Sequence, residues 1–316
     1  MKPKSLLTLA ELDPDEMGFI LSLSLRLKAA RGRSKERPLQ GKTVALLFEK
    51  PSTRTRVSFQ VAASELGGNS ISLSSNEIQL GRGETIEDTA RVLSRYVHAI
   101  MARVNDHSGV ERLAASSTIP VVNGLSDLYH PVQILADLLT LRERKGTLKG
   151  LKVAWVGDGN NVCNSWLIGA ATTGIRFSAA TPPGYAPNKG TVSLARSIAR
   201  GTNASLTLLE DPKEAVEGAD CIITDTFVSM GFDKEREDRV RAFLPRYRVD
   251  RRLMDLAKRG AIFQHCLPAH RGEEVTNEVI DGPNSAVWDE AENRLHTTKA
   301  LLCYLMLGRT ELRKLS

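Results

Sequence analysis

Residues 51–56 read PSTRTR and follow closely on the apolar run TVALLF (43–48). If Ser52 caps the helix that begins there, the first-turn backbone N–H groups point outward. Such a helix end draws anions through those groups and the positive end of its dipole. The hydroxyls of Ser52, Thr53 and Thr55 add donors. Arg54 offers a bidentate guanidinium contact and Arg56 a second positive charge. Phosphate is the guest this set of donors suits. A solvated helix start whose arginines pair with nearby acids is the plainer reading, but the density of donors after a buried strand favours the anion.

Other polar clusters also fall where apolar runs end. In HPVQ, His130 stands at a helix cap and Gln133 about one turn later, so both can face one pocket and orient a carbonyl or amide. The plainer role is to satisfy the helix start. GDGNN (157–161) carries Gly157-x-Gly159, but Val162 stands where a dinucleotide loop has its third glycine. Asn160 and Asn161 could bind a carboxylate through their amides, or form a tight turn in left-handed conformations. In DTFVSMG (225–231), Asp225 can pair with an ammonium group, Ser229 can hydrogen-bond, and Met230 can offer its backbone. In HCLP (265–268), Cys266 could act as a base if positive charge lies near its thiol. Arg294 stands at the opening of the last helix, in AENRLHTTK.

These clusters need elements to hold them. TVALLF, AIMARV, IPVVNG, LKVAWVG, IRFSAAT, ASLTLLE, ADCIITDT and AIFQHCLP read as strands, and SISLSS alternates like one. The stretch 53–66 reads as a helix stopped by Gly67-Gly68. TIEDTARVLSRY starts with Thr85 and Asp88, close to a capping box. HPVQILADLLTLRERKG (130–146) is the clearest helix, with Pro131 at its first position and a basic C-terminal end. HTTKALLCYLMLGR (296–309) reads as an apolar helix. Strand–helix alternation in two series implies two α/β domains with mainly parallel sheets, bridged by the 130–146 helix. Ligands of such sheets sit at the carboxyl ends of the strands.

The chain has 316 residues, which suits two domains, with 41% hydrophobic and 25% charged residues. Its net charge of +6 is a mild excess. Without a lysine-rich tail or basic runs interleaved with aromatics, nucleic acid is disfavoured as a partner. The four cysteines form no C-x-x-C pair, which argues against a zinc ribbon and for reduced thiols in the cytoplasm. The N-terminal stretch lacks the apolar core of a signal peptide, and no apolar run approaches a membrane span.

Together these stretches resemble the transcarbamylases over nearly the whole chain. The resemblance rests on Ser52-Thr53-Arg54-Thr55-Arg56, Arg103 in MARV, His130-Pro131-Val132-Gln133, Asp225 to Gly231, His265-Cys266-Leu267-Pro268 and Arg294. Asp-x-x-x-Ser-Met-Gly and His-Cys-Leu-Pro are features of the ornithine branch. EIQLGRGE (77–84) matches the family loop that reaches into a neighbouring subunit, which puts Gln79 at the adjacent site.

The resemblance implies two doubly wound domains linked by interdomain helices. Residues 1–130 with the C-terminal helix 296–316 would bind carbamoyl phosphate, 150–290 would bind ornithine, and 131–147 would be the linking helix. It also implies a homotrimer, or a multiple of one, with active sites between subunits. Ser52, Thr53, Arg54, Thr55 and Arg103 would hold the phosphate. His130, Gln133, Arg294 and the backbone near Cys266 and Leu267 would hold the carbamoyl end. Asn161, Ser229 and the Met230 backbone would recognise the amino-acid end of ornithine.

In the implied reaction, the side-chain amine of ornithine attacks the carbamoyl carbon, an oxyanion forms facing Arg54, Thr55 and His130, and phosphate leaves. The family assigns proton removal to the cysteine, here Cys266, with Asp225 close to the amine; the phosphate is a competing base. No metal or organic cofactor is implied, because the leaving group is already activated. Within the family, putrescine is the alternative acceptor. Outside it, the competing readings are a nucleotide-dependent oxidoreductase using GDGNN and a basic anion- or nucleic-acid-binding protein.

Overall fold

A computed structural model describes residues 4–74, 83–228 and 233–315. Gln79, Ser229 and Met230 lie outside the described residues. The chain divides into two compact units, residues 1–139 with 292–316, and residues 140–291. In chain order the elements are α1 (Pro14–Ala29), β1 (Thr43–Phe48), α2 (Arg54–Glu65), β2 (Asn69–Ser74), α3 (Ile86–Tyr96), β3 (Ala99–Arg103), α4 (His107–Ser116), β4 (Val121–Leu125) and α5 (Pro131–Lys145). There follow β5 (Lys152–Val156), α6 (Asn161–Thr173), β6 (Arg176–Ala180), α7 (Lys189–Ala199), β7 (Ser205–Leu209), α8 (Pro212–Val216) and β8 (Cys221–Thr224). The last are α9 (Arg236–Phe243), α10 (Arg251–Met254), β9 (Ile262–His265), α11 (Asn277–Ile280), α12 (Val287–Met306) and α13 (Arg309–Leu315).

Both units are doubly wound α/β structures. The first holds a four-stranded sheet in the order β2-β1-β3-β4, the second a five-stranded sheet in the order β7-β6-β5-β8-β9. Every pairing among them is parallel. The central strands are apolar because helices cover both faces of a parallel sheet. All of the inner strands β3 and β8 is buried, as is the outer strand β9, while the outer strands β2 and β7 start with alternating exposed and half-buried residues. An outer strand meets a neighbour on one side only, so it tolerates the serines and threonines seen there.

The direction of winding reverses between β1 and β3 in the first sheet and between β5 and β8 in the second. Ligand crevices open at such points, beyond the carboxyl ends of the strands. PSTRTR follows β1, and Arg103 ends β3. GDGNN follows β5, and Asp225 follows β8. PSTRTR and Arg103 thus lie at one reversal point, and GDGNN and Asp225 at the other.

Three local expectations need correction. Ser52 is not the cap of α2: the cap position is Thr53, already in the right-handed helical region and without a side-chain cap bond. A hydroxyl on a helical backbone does not fold over the first turn as it does from an extended one. The asparagines of GDGNN are not left-handed. Asn160 is an extended N-cap, with φ −73° and ψ −170°, and the positive φ of +139° falls on Gly157. The helix that carries the C-terminal apolar stretch, α12, extends well before it, and a further short helix, α13, follows. Helix α12 starts at Val287, with Asp289 and Glu290 in its first turn favouring the dipole. Arg294 therefore lies well inside α12 rather than at its opening.

Candidate active site

In the first unit, β1 delivers the chain to a short loop that is pinned to its neighbour: the Glu49 N–H donates to the Arg103 carbonyl at 2.9 Å. Arg103 ends β3 and is buried. Thr55, in the first turn of α2, is buried, while Arg54 is half-buried and Thr53 exposed. Arg294 of α12, only 2% exposed, donates from Nη1 to Gln133 Oε1 at 2.5 Å and from Nη2 to Thr55 Oγ1 at 3.2 Å. The amide of Gln133 is oriented from its other side too, since Nε2 donates to Asp137 Oδ1 at 2.8 Å. Elements far apart in sequence thus converge on one polar floor. Arg56 does something else: its guanidinium lies over the Phe48 ring, 4.7 Å from the centroid, which makes it part of the packing beneath the loop.

His130 sits among these cations at 5% exposure. Burial, and then the charges of Arg294, Arg103 and Arg54, hold its pKa well below the usual imidazole value of 6.5. It is neutral at pH 7, able to donate one hydrogen bond to a carbonyl oxygen without adding charge. The unfolded chain binds a proton near pH 6.5 that the folded chain does not, so His130 costs stability as pH falls below that value, by up to about 1.4 kcal/mol per pH unit. The difference in melting temperature between wild type and His130→Gln should therefore shift against wild type from pH 7 to pH 5. A constant difference would show that the imidazole is not held neutral.

In the second unit the focus is Asp225, at the end of β8 and 6% exposed. Its Oδ1 accepts from the Thr226 N–H at 2.8 Å and from the Cys266 thiol at 3.1 Å. Its Oδ2 accepts from Asn160 Nδ2 at 2.8 Å. Asn160 also caps α6, since its Oδ1 accepts the N–H groups of Val162 and Cys163 at 3.0 and 3.1 Å. Asn161 is the first residue of α6 and half-buried. Gly159 has no room for a side chain, because a Cβ there would stand 2.3 Å from the Pro187 nitrogen.

Cys266 follows β9 and is half-buried, whereas Cys163, Cys221 and Cys303 are buried. Its thiol meets a carboxylate in this unit rather than the positive charge expected beside a thiolate base. Leu267 has φ +58°, a left-handed conformation held partly by its N–H, which donates to His265 Nδ1 at 2.8 Å. That bond leaves the His265 proton on Nε2, facing Glu274 Oε1 at 3.2 Å. The His265 N–H donates to Glu290 Oε2 at 2.9 Å. The His-Cys-Leu-Pro segment is therefore hung between two buried carboxylates. Among the described residues, Asp225, His265 and Cys266 bring potential metal-ligating atoms within 4.8 Å of one another, but both His265 nitrogens already face hydrogen-bond partners.

Sequence reasoning missed Asn160 as the orienter of Asp225, and it missed Asp158, Glu274 and Glu290. An N-cap asparagine is legible as a cap, but nothing local reveals the carboxylate it also serves.

A phosphate-suited floor on one α/β unit and an acid–thiol pair on a second fit a transferase built from two substrate-binding halves. The chain belongs to the aspartate/ornithine carbamoyltransferase family: residues 4–143 match its carbamoyl-P binding domain and residues 149–305 its Asp/Orn binding domain. Among its relatives is the ornithine carbamoyltransferase of Cenarchaeum symbiosum (strain A), 56% identical over 306 residues, which cover 96% of this chain and 99% of that protein. The Pyrococcus horikoshii ornithine carbamoyltransferase is 52% identical over 309 residues, covering 98% of this chain and 97% of that one. Of solved structures, the ornithine carbamoyltransferase of Pyrococcus furiosus matches with a TM-score of 0.93 at 51% identity, covering 96% of this chain and 97% of the other.

Proposed function

We propose that this protein transfers the carbamoyl group of carbamoyl phosphate to the side-chain amine of L-ornithine, giving L-citrulline and phosphate, the type of step used in arginine biosynthesis. The observation that carries this reading is the floor where buried Arg294 binds Gln133 and Thr55 beside a neutral His130. It suits a small amide joined to a phosphate dianion. The phosphate rests on Ser52, Thr53, Arg54, Thr55 and Arg103. The carbamoyl oxygen, which gains negative charge as the amine attacks, meets the preorganised donors Arg54, Thr55 and His130. Gln133, Arg294 and the backbone at Cys266 and Leu267 orient the carbamoyl amide.

Ornithine lies with its side-chain nitrogen against Asp225 and its amino-acid end on Asn161, Ser229 and the Met230 backbone. The amine must shed a proton before it can attack. Cys266, in contact with Asp225, would take that proton as a thiolate, its own S–H proton having passed to Asp225, and the departing phosphate oxygen is the second acceptor. The names of the relatives support ornithine over putrescine as acceptor, and the family match leaves no ground for a nucleotide-dependent oxidoreductase.

The working form is a homotrimer or a multiple of one, in which Gln79 joins the phosphate site of a neighbouring subunit. Val57, Ile71, Val92 and Tyr96 of the first unit, between 45% and 74% exposed, are suited to subunit contacts. A cytoplasmic location fits four free cysteines. No helix among the described residues is long and apolar enough to cross a membrane.

The direct test supplies carbamoyl phosphate with ornithine, putrescine, acetylornithine and aspartate in parallel. Citrulline should form at least a hundredfold faster than any other carbamoylated product. Preference for another acceptor would sink the ornithine assignment and leave the family intact.

A further inference from the structure

Arg239 lies in α9, outside the polar clusters at the strand ends, yet it is 6% exposed and tied on several sides. Its Nη1 donates to Asp158 Oδ2 at 2.7 Å and to the Phe227 carbonyl at 3.2 Å. Its Nε donates to Glu235 Oε2 at 3.1 Å, and its guanidinium lies over the Tyr185 ring, 5.2 Å from the centroid. Asp158 stands two residues before Asn160, and Phe227 two residues after Asp225. One guanidinium therefore joins the loop after β5 to the loop after β8 on either side of the Asn160–Asp225 bond.

The helix that carries Arg239 holds the same loop a second way. Phe243 lies one turn further along α9, on the same face, and stacks on the Phe227 ring with centroids 4.7 Å apart. Thus α9 holds the Phe227 carbonyl with a charge and its ring with an aromatic face. The other end of the pair is also fixed, since Trp155 Nε1 donates to the Asp158 carbonyl at 3.0 Å.

We propose that Arg239, locked to Asp158, is a positioning residue for the transfer reaction, holding Asp225 where it meets both the ornithine amine and the Cys266 thiol. The inference rests on the reading of ornithine as acceptor for its kinetic consequences, but not for its geometry. Burial pushes the Asp158 carboxyl up and the Arg239 guanidinium opposes that shift. Without Arg239, Asp158 is driven toward its neutral form and the Phe227 carbonyl loses a donor. A lysine keeps the charge, but its single ammonium cannot reproduce the fork that reaches Asp158, Phe227 and Glu235 together.

The test uses full-length Arg239→Lys and Arg239→Gln with two readouts. In steady-state kinetics, KM for ornithine should rise at least tenfold, while KM for carbamoyl phosphate stays within twofold. In the absence of substrates, iodoacetamide should alkylate Cys266 at least threefold faster than in wild type, because the carboxylate that holds the S–H proton has moved. Cys266 is the half-buried cysteine and the other three are buried, so the alkylation rate reports on this site. Arg239→Lys, which keeps the buried charge, decides the matter where Arg239→Gln fails to fold. An ornithine KM within twofold of wild type together with unchanged alkylation overturns the inference, as does an equal rise in both KM values. If wild type makes no citrulline, the functional reading fails, and the alkylation rates still decide whether Arg239 places Asp225.

Discussion

Arg54→Ala lowers kcat/KM for carbamoyl phosphate by about 10²–10³-fold and leaves the melting temperature nearly unchanged. Both halves of that expectation come from where the side chain lies. Arg54 is the first residue of α2 and half-buried. Removing such a side chain creates no core cavity, so its structural cost should stay within about 0.5 kcal/mol. Its positive charge nevertheless acts on buried His130, the imidazole beside the floor formed by Thr55, Gln133 and Arg294. Thr53 makes no side-chain cap bond to α2, and in the proposed site the first-turn N–H groups and Arg54 would meet the same anion. Arg54→Lys should fall between, since it keeps the charge and loses the planar fork. Steady-state kinetics with carbamoyl phosphate varied, alongside thermal unfolding, check the expectation. Near-normal turnover in Arg54→Ala would mean that the phosphate is held elsewhere.

Asp225→Asn should cost about as much, measured as kcat/KM for ornithine, and for a different reason. Both oxygens of Asp225 accept N–H donors, Oδ1 from Thr226 and Oδ2 from Asn160. An asparagine presents its own NH₂ to one of them whichever way the amide is turned. The clash leaves a buried donor unsatisfied, costing about 1–3 kcal/mol, and the charge facing the ornithine ammonium is lost, worth about 1.5–3 kcal/mol. Together they correspond to roughly 10²–10⁴ in rate, at about 1.4 kcal/mol per factor of ten. KM for carbamoyl phosphate should move little, because the donors proposed for its phosphate lie in the other unit. A loss of tenfold or less would remove Asp225 from contact with the amine.

How much of this was legible in the residues depended on the distance over which each contact acts. The strands were plain because a doubly covered parallel strand must be apolar along its length, as in TVALLF and AIFQHCLP. The clusters at their ends were plain because polar residues crowd where those runs stop. Helix ends were less so: Ser52 carries a capping side chain, but Thr53 already has helical angles, and α12 starts among residues too polar to signal a buried helix. Contacts between distant segments were not legible at all. Arg239 and Asp158 lie 81 residues apart, and each taken alone looks like a surface charge. The Cys266 environment misled for the same reason, since its carboxylate neighbour comes from a strand 41 residues away.

Asn160 carries a consequence for how variants of this protein should be judged. One amide both completes the N-terminus of α6 and orients Asp225. Aspartate is as good a helix cap as asparagine, so Asn160→Asp would keep the helix while setting one carboxylate against another. Serine would also cap, yet is too short to reach across. A screen that ranks substitutions by thermal shift would register the repulsion in Asn160→Asp but score Asn160→Ser as tolerated, at a position where the cap survives the loss of the amide and the orientation of the acid does not. For the serine, stability is a blind proxy for fitness, and only an assay with ornithine separates harmless changes from damaging ones.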